Sequence, residues 1–187
     1  ASDWFAVFSQ RSAEYYIDAG VPAAQVVPVG NPAWDEYPSL VARRKELRAQ
    51  LNGEYQLDPA RPLVVFGTTW NANLSALDNR SLDEQLQIAF AALARMNQQL
   101  GLKAQLVLKD RLFGDGAAER QAHVMEVAQR FGVAEAVRYA VDDARRWVVA
   151  ADVLVSLDSN LTIEAILADV PAVNLLTDFG AVAGGGY

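Results

Sequence analysis

Asp158, Ser159 and Asn160 stand together between an apolar run and a helical pattern, with Thr162 two residues on and Glu164 in the early turns of that pattern. A helix that opens on such a turn presents unpaired backbone N–H groups and the positive end of its dipole, a ready site for a phosphate. The hydroxyls of Ser159 and Thr162 add donors at low steric cost. The dipole alone contributes only about 0.3 to 2 kcal/mol, so tight binding needs those hydrogen bonds and a base or sugar contact as well. Any of Asp158, Ser159 or Asn160 is equally able to serve as a plain helix cap. Glu164 follows Ser159 by five residues, too far for a capping box. It sits about 100 degrees off the stripe of Ile163, Ile166 and Leu167, which reads as the buried face of the helix. A carboxylate placed there can accept two neighbouring hydroxyls, and a solvated surface Glu is the alternative.

A second small, polar loop is Gly67-Thr68-Thr69, after the run Leu63 to Phe66. Lys109, at the end of another apolar run, is a candidate counter-charge for phosphate. Asp110 beside it is placed like the phosphoryl acceptor of a receiver domain, although the acidic pocket and partner lysine of such domains are not evident. His123, the single histidine, flanks the stripe of Val124, Val127 and Phe131 and reads as a surface residue with no second histidine to share a metal. Asp142 and Asp143 read as caps. Trp4, Trp34, Trp70 and Trp147 read as core or hinge packing, with Trp70 close enough to the first loop to line a cleft. The chain has no cysteine, which excludes disulfides, thiolate zinc sites and cysteine nucleophiles.

The elements that must hold these residues follow from the hydrophobic pattern. Residues 1 to 38 read as strand, helix and strand, from Phe5 to Ser9, onward to Ala19, and from Gln25 to Val29. A charged helix over 39 to 52 and the stiff Asp58-Pro59-Ala60-Arg61-Pro62 make an interdomain segment, 39 to 61. From residue 62 to 187, strands at 63 to 66, 105 to 108, 137 to 139, 153 to 157 and 172 to 176 alternate with helices. Ser81 and Glu84 form a capping box at the start of the first of those helices. Leu82, Leu86, Ala89, Leu93, Met96 and Leu100 line its buried face. Short apolar strands alternating with helices mean a parallel sheet covered on both faces, a doubly wound α/β fold. In order 3-2-1-4-5 the strand order reverses between the strands ending at Gly67 and at Leu157, and ligands of such sheets lie at that reversal.

The segment from Ala151 to Pro171, ADVLVSLDSNLTIEAILADVP, resembles the donor-binding signature of GT-B fold glycosyltransferases and of the non-hydrolysing nucleotide-sugar 2-epimerases. In those proteins a small polar turn opens a helix, a Glu follows in its early turns, and a Pro lies seven residues after the Glu. The stretch from Val27 to Asp35, VPVGNPAWD, is similar to their interdomain crossing. The resemblance implies a Rossmann-like carboxyl-terminal domain of the GT-B type at 62 to 187, carboxyl-terminally incomplete, preceded by a short βαβ remnant of an amino-terminal acceptor domain that is otherwise missing. It implies that Ser159, Asn160 and Thr162 hold the donor diphosphate and Glu164 the ribose hydroxyls. Thr68 and Thr69, after Gly67, would face the same phosphates, and the backbone from Tyr139 would edge the base. Glycerophosphate and related polymer transferases carry a Lys-x-His-Pro after the second strand, where this chain reads Leu108-Lys109-Asp110-Arg111-Leu112. The epimerases carry a Ser-Gly-Gly turn, where it reads Ser159-Asn160-Leu161.

The implied activity is transfer of a sugar from a nucleotide-sugar to an acceptor in surface polysaccharide or glycoconjugate synthesis. The alternatives are a nucleotide-sugar 2-epimerase and a nucleotide-binding domain without catalysis. The donor, expected to be linked to uridine diphosphate, is a substrate, so no cofactor and no metal is expected. The acceptor-activating base would lie in the missing domain. A formal net charge of −7 argues against nucleic acid as a partner. No apolar run approaches the roughly 18 residues that span a bilayer. A cytoplasmic chain is expected, with peripheral membrane association in the full-length protein.

Overall fold

The computed structural model describes residues 3–68, 75–110, 116–156 and 159–175, with the backbone alone over 75–81. Thr69, Trp70 and Asp158 lie outside the described residues. The chain divides into two compact units, Ala1–Pro38 and Ser39–Tyr187.

In the first unit, β1 (Phe5–Val7) and β2 (Val26–Pro28) pair in parallel on either side of α1 (Gln10–Asp18). Ser9 caps α1 by accepting the Ser12 N–H at 3.1 Å, and Gly20 leaves the helix at φ 98°. Val7, Ala13 and Val26 form a small core. Trp4 does not join it, with 64% of its surface exposed. Three-residue strands leave too little buried area to cover so large a ring.

The second unit begins with the charged segment. A single helix over 39 to 52 was expected; the structure has α2 (Tyr37–Ala42), a break at Arg43, and α3 (Arg44–Glu54). Then come β3 (Leu63–Gly67), α4 (Ser75–Gln99), β4 (Gln105–Lys109), α5 (Ala117–Arg130), β5 (Val137–Ala140), α6 (Ala144–Ala150), β6 (Val153–Ser156), α7 (Asn160–Leu167) and β7 (Ala172–Asn174). The strands form one parallel sheet in the order β5-β4-β3-β6-β7, which is the doubly wound 3-2-1-4-5 order. Right-handed crossovers then put α4 and α5 on one face and α6 and α7 on the other.

Every residue of β4 is buried, as a strand covered on both faces requires. Phe66, Leu86, Phe90, Leu93, Leu108, Val124 and Val127 fill the layer beneath α4 and α5. Each large side chain fully buried there is worth roughly 1.5 to 3 kcal/mol. Trp147 is fully buried in α6, edge-on to Tyr55 at 4.7 Å, and its indole N–H donates to Asp142 Oδ1 at 2.5 Å.

Two local expectations are corrected. Helix α4 starts at Ser75, so Ser81 lies inside it and cannot be its cap; good helix formers upstream let the helix propagate past the capping-box sequence. In α7 the expected buried stripe is turned outward: Ile163, Ile166 and Leu167 are 43%, 70% and 45% exposed, while Ala165 and Ala168 are fully buried. The face that the fold buries is thus the one made of small residues.

Candidate site at the carboxyl edge of the sheet

Register fixes the floor of the site. Pairing aligns Ala140, Lys109, Gly67, Ser156 and Asn174 as one rung across all the strands of the larger sheet. The order reverses between β3 and β6, so the crevice opens beside Gly67 and Ser156.

Helix α7 starts at that crevice. Ser159 is its N-cap, accepting the Leu161 N–H at 3.3 Å, and Asn160 is exposed. Thr162 is tied down: its hydroxyl lies 2.8 Å from that of fully buried Ser156, which pins the first turn to the end of β6. A methyl group at Gly67 would overlap Leu161 Cδ1, so the glycine at the end of β3 leaves the space that the end of the Leu161 side chain fills. Glu164 is half-buried, next to the face that carries Ala165. Gly67, Ser159, Asn160 and Thr162 are therefore brought together at the reversal, with Glu164 one turn further along.

Thr68, Lys109 and Tyr139 belong to a neighbouring cluster, centred on Asp110, which the sequence marks only for its likeness in position to a phosphoryl acceptor. The side chain of Asp110 is 1% exposed. Its Oδ1 accepts the Thr68 hydroxyl at 3.0 Å and its Oδ2 accepts Arg120 Nε at 2.8 Å. The Tyr139 hydroxyl donates to the same Oδ2, and Lys109 Nζ donates to the Asp110 carbonyl. The Asp110 N–H donates to the Ala140 carbonyl at 2.8 Å, extending the β4–β5 ladder by one bond. One carboxylate thus binds together the ends of β3 and β4, strand β5 and the first turn of α5.

The electrostatics follow from this packing. Burial pushes the Lys109 ammonium down from its usual range, opposed by Asp142, Asp110 and Asp143. Burial and then Asp110 push the Tyr139 phenol up to about 12. The hydrogen bond to Asp110 raises Arg120 further still. Asp143 caps α6 by accepting the Arg145 N–H at 3.0 Å, and the side-chain hydrogen bond from Arg145 holds its carboxyl below the usual range. Asp142, expected to cap as well, takes the indole N–H of Trp147 instead.

Arg120 and Ser156 went unmarked in the sequence. Arg120 stands ten positions after Asp110, a separation that no helical or strand period encodes. Ser156 is an ordinary small residue at a strand end. His123 is partly exposed and lies 2.6 Å from Asp83, a surface pair between α5 and α4. Among the described residues no three His, Asp or Glu side chains gather closely enough to hold a metal ion. No described helix is long and apolar enough to cross a membrane.

No protein-family model and no curated protein sequence matches the chain. Solved structures do. The wall teichoic acid polymerase TagF is similar over 97% of this chain and 40% of its own, with a TM-score of 0.60 and 14% identity. UDP-N-acetylglucosamine 2-epimerase from Rickettsia bellii is similar over 93% of this chain and 42% of its own, with a TM-score of 0.54 and 16% identity. The chain has a GT-B-like fold. A TagF variant soaked with CDPG matches too, with a TM-score of 0.57 over 91% of this chain and 37% of that one. The chain spans well under half the length of each of these neighbours. Both kinds of protein that the segment from Ala151 to Pro171 resembles, a transferase and an epimerase, are thus found among its GT-B-like neighbours.

Proposed function

We propose that the chain is the donor-binding part of a glycosyltransferase that takes a nucleotide-linked group, UDP-linked in the simplest case, and delivers it to an acceptor held by a further domain of the same protein. The observation that carries this is the start of α7. A helix cap, Thr162 locked to Ser156 and the Leu161 side chain seated against Gly67 hold the amino end of α7 beside the strand reversal. The Leu161 and Thr162 N–H groups are bonded to Ser159, so what suits a diphosphate at that spot is the positive end of the helix dipole with the exposed Asn160 beside it.

In this reading Ser159 and Asn160 bind the diphosphate, Glu164 accepts the ribose hydroxyls, and Lys109 supplies a counter-charge from β4. Thr69 and Asp158 would complete the two loops. Thr68 acts through Asp110, to which its hydroxyl is bonded, and Tyr139 borders the base side. As the donor bond breaks, the departing nucleotide gathers negative charge. Fixed donors and a lysine then stabilise it more than they do the ground state. Placement in surface polysaccharide or glycoconjugate synthesis, and in the cytoplasm, belongs to the same reading.

The epimerase among the structural neighbours favours a second reading, isomerisation of the same donor class. Isomerised sugar formed by the full-length protein without any acceptor would select it. Full-length protein that binds the donor but neither transfers nor isomerises would be a non-catalytic binder.

The test is a thermal-shift panel of uridine, cytidine, guanosine and adenosine diphosphates, free and sugar-linked. A ligand at about 100 times its Kd adds about 2.7 kcal/mol to stability. At least one diphosphate is expected to raise Tm, and Glu164→Ala to abolish the shift while leaving the far-UV spectrum unchanged. A full shift in Glu164→Ala would remove the ribose role.

A further inference from the structure

We propose that Arg44, the first residue of α3, is a positioning residue for donor binding: by holding the carboxyl end of α7 it fixes where the amino end of that helix stands. This rests on the donor-binding reading and adds to it a residue on the opposite edge of the sheet from the ligand.

Three observations carry the assignment. First, Arg44 Nη2 donates to the carbonyl of Ala168, the C-cap of α7. Helix α7 runs back from the end of β6, so this bond lies one helix length away from the crevice. Second, large side chains do not fix the tilt of α7. Ile163, Ile166 and Leu167 are turned outward, and the side chains fully buried are those of Ala165 and Ala168. A lone methyl group touches few neighbours and does little to resist a pivot. Third, Arg44 is a poor choice for a plain helix cap. Among the described residues its Nε–H is buried and has no acceptor, and a buried donor left unmade lowers stability. Satisfying the Ala168 carbonyl alone needs one N–H and no second one to bury.

Helix α7 is short enough to move as a rigid rod. It has 8 residues, which span roughly 12 Å. Its pin near the crevice is the Thr162 hydroxyl, 2.8 Å from that of Ser156. From Thr162, Ala168 lies roughly 9 Å along the axis and Ser159 roughly 4.5 Å in the other direction. A shift of about 1 Å at Ala168 therefore moves the Ser159 end by about 0.5 Å, the tolerance within which a binding constellation must be held. Releasing Arg44 misaligns Ser159 and Asn160 without removing either. Arg48 provides the comparison. One turn along α3, it makes the same kind of bond at 2.6 Å to the carbonyl of Ala150, the last residue of α6, a helix with no residue assigned to the diphosphate.

The experiment measures Kd for uridine and cytidine diphosphate by titration calorimetry, and the urea midpoint, on the 187-residue chain and its Arg44→Met, Arg44→Gln, Arg44→Lys and Arg48→Met variants. Methionine keeps an apolar stem and removes the donors. Arg44→Met is expected to weaken the diphosphate about tenfold, and Arg44→Lys to recover part of that loss. Arg48→Met should lower the urea midpoint as well, yet leave the affinity within about twofold of the unaltered chain. Hydrogen exchange adds a readout that needs no ligand: the Leu161 and Thr162 amides should exchange faster in Arg44→Met than in Arg48→Met. Wild-type affinity in Arg44→Met, or an equal loss in Arg48→Met, would overturn the assignment. If Arg44→Met fails to fold, wild-type affinity in Arg44→Gln overturns it instead. Should Glu164→Ala lose binding while the Arg44 variants do not, only this inference falls. Should the unaltered chain bind neither diphosphate, the donor-binding reading falls and takes the role of Arg44 with it.

Discussion

A carboxylate withdrawn from water must be surrounded by donors, and Asp110 takes them from Thr68, Arg120 and Tyr139. The phenol that serves it is measurable. Unfolded tyrosine ionises near 10, and Tyr139 and Tyr55 are both raised to about 12, chiefly by burial, with Asp110 and Asp142 next in importance. A group whose ionisation is disfavoured in the fold stabilises it fully below the unfolded value and loses that contribution as pH rises through the folded one. Stability by urea titration is therefore expected to fall between pH 10 and about 12, with a shallower fall in Tyr139→Phe. An identical slope in that variant would disconnect Tyr139 from the effect. At this scale the sequence was partly readable: Ser159 and Asp143 are caps because their oxygens reach the N–H groups that open their helices. The Asp110 cluster was not, because its members come from separate stretches that meet only when β3, β4 and β5 align.

Elements are where sequence periodicity speaks most directly. Runs such as Leu63 to Phe66 and Leu106 to Leu108 can only be strands sealed on both faces, and handed crossovers leave the order 3-2-1-4-5 as the natural solution. Helix α7 shows where periodicity misleads. Ile163, Ile166 and Leu167 make the more apolar stripe, yet the fold buries the face bearing Ala165 and Ala168. The clue was Gly67, whose missing side chain matters only once Leu161 arrives beside it. Gly67→Ala should cost about 1 kcal/mol, the low end of overpacking, since only a terminal methyl of the part-exposed Leu161 must move to admit the new atom. The urea midpoint should drop, and Leu161→Ala in the same chain should recover part of the loss. An unchanged midpoint would show that the fit there is loose.

At the scale of the larger unit, the amino edge of the sheet is fastened as firmly as the carboxyl edge, by different means. Arg48 of α3 donates to the Ala150 carbonyl at 2.6 Å and the Arg61 carbonyl at 3.1 Å, and lies 3.4 Å from Asp152. The Asp152 carboxylate in turn accepts the Leu63 N–H at 2.7 Å. The stretch from Asp58 to Pro62 is anchored too, through Gln105, which accepts the Asp58 N–H at 3.1 Å and donates to its carbonyl at 2.8 Å. Arg48→Ala leaves carbonyls of α6 and the connector without their charged donor, and should cost about 1.5 to 3 kcal/mol by chemical denaturation. A cost below half a kcal/mol would mean that water replaces the guanidinium without loss.

The four-way fastening at Asp110 also limits how the protein can be trimmed. Thr68 and Tyr139, which share its carboxylate, are separated by most of the central sheet in chain order. A shortened version ending between Asp110 and Tyr139 would leave a sealed-in negative charge short of a donor. Any piece that keeps Asp110 must therefore run from β3 through β5, and efforts at circular permutation or splitting belong outside that stretch.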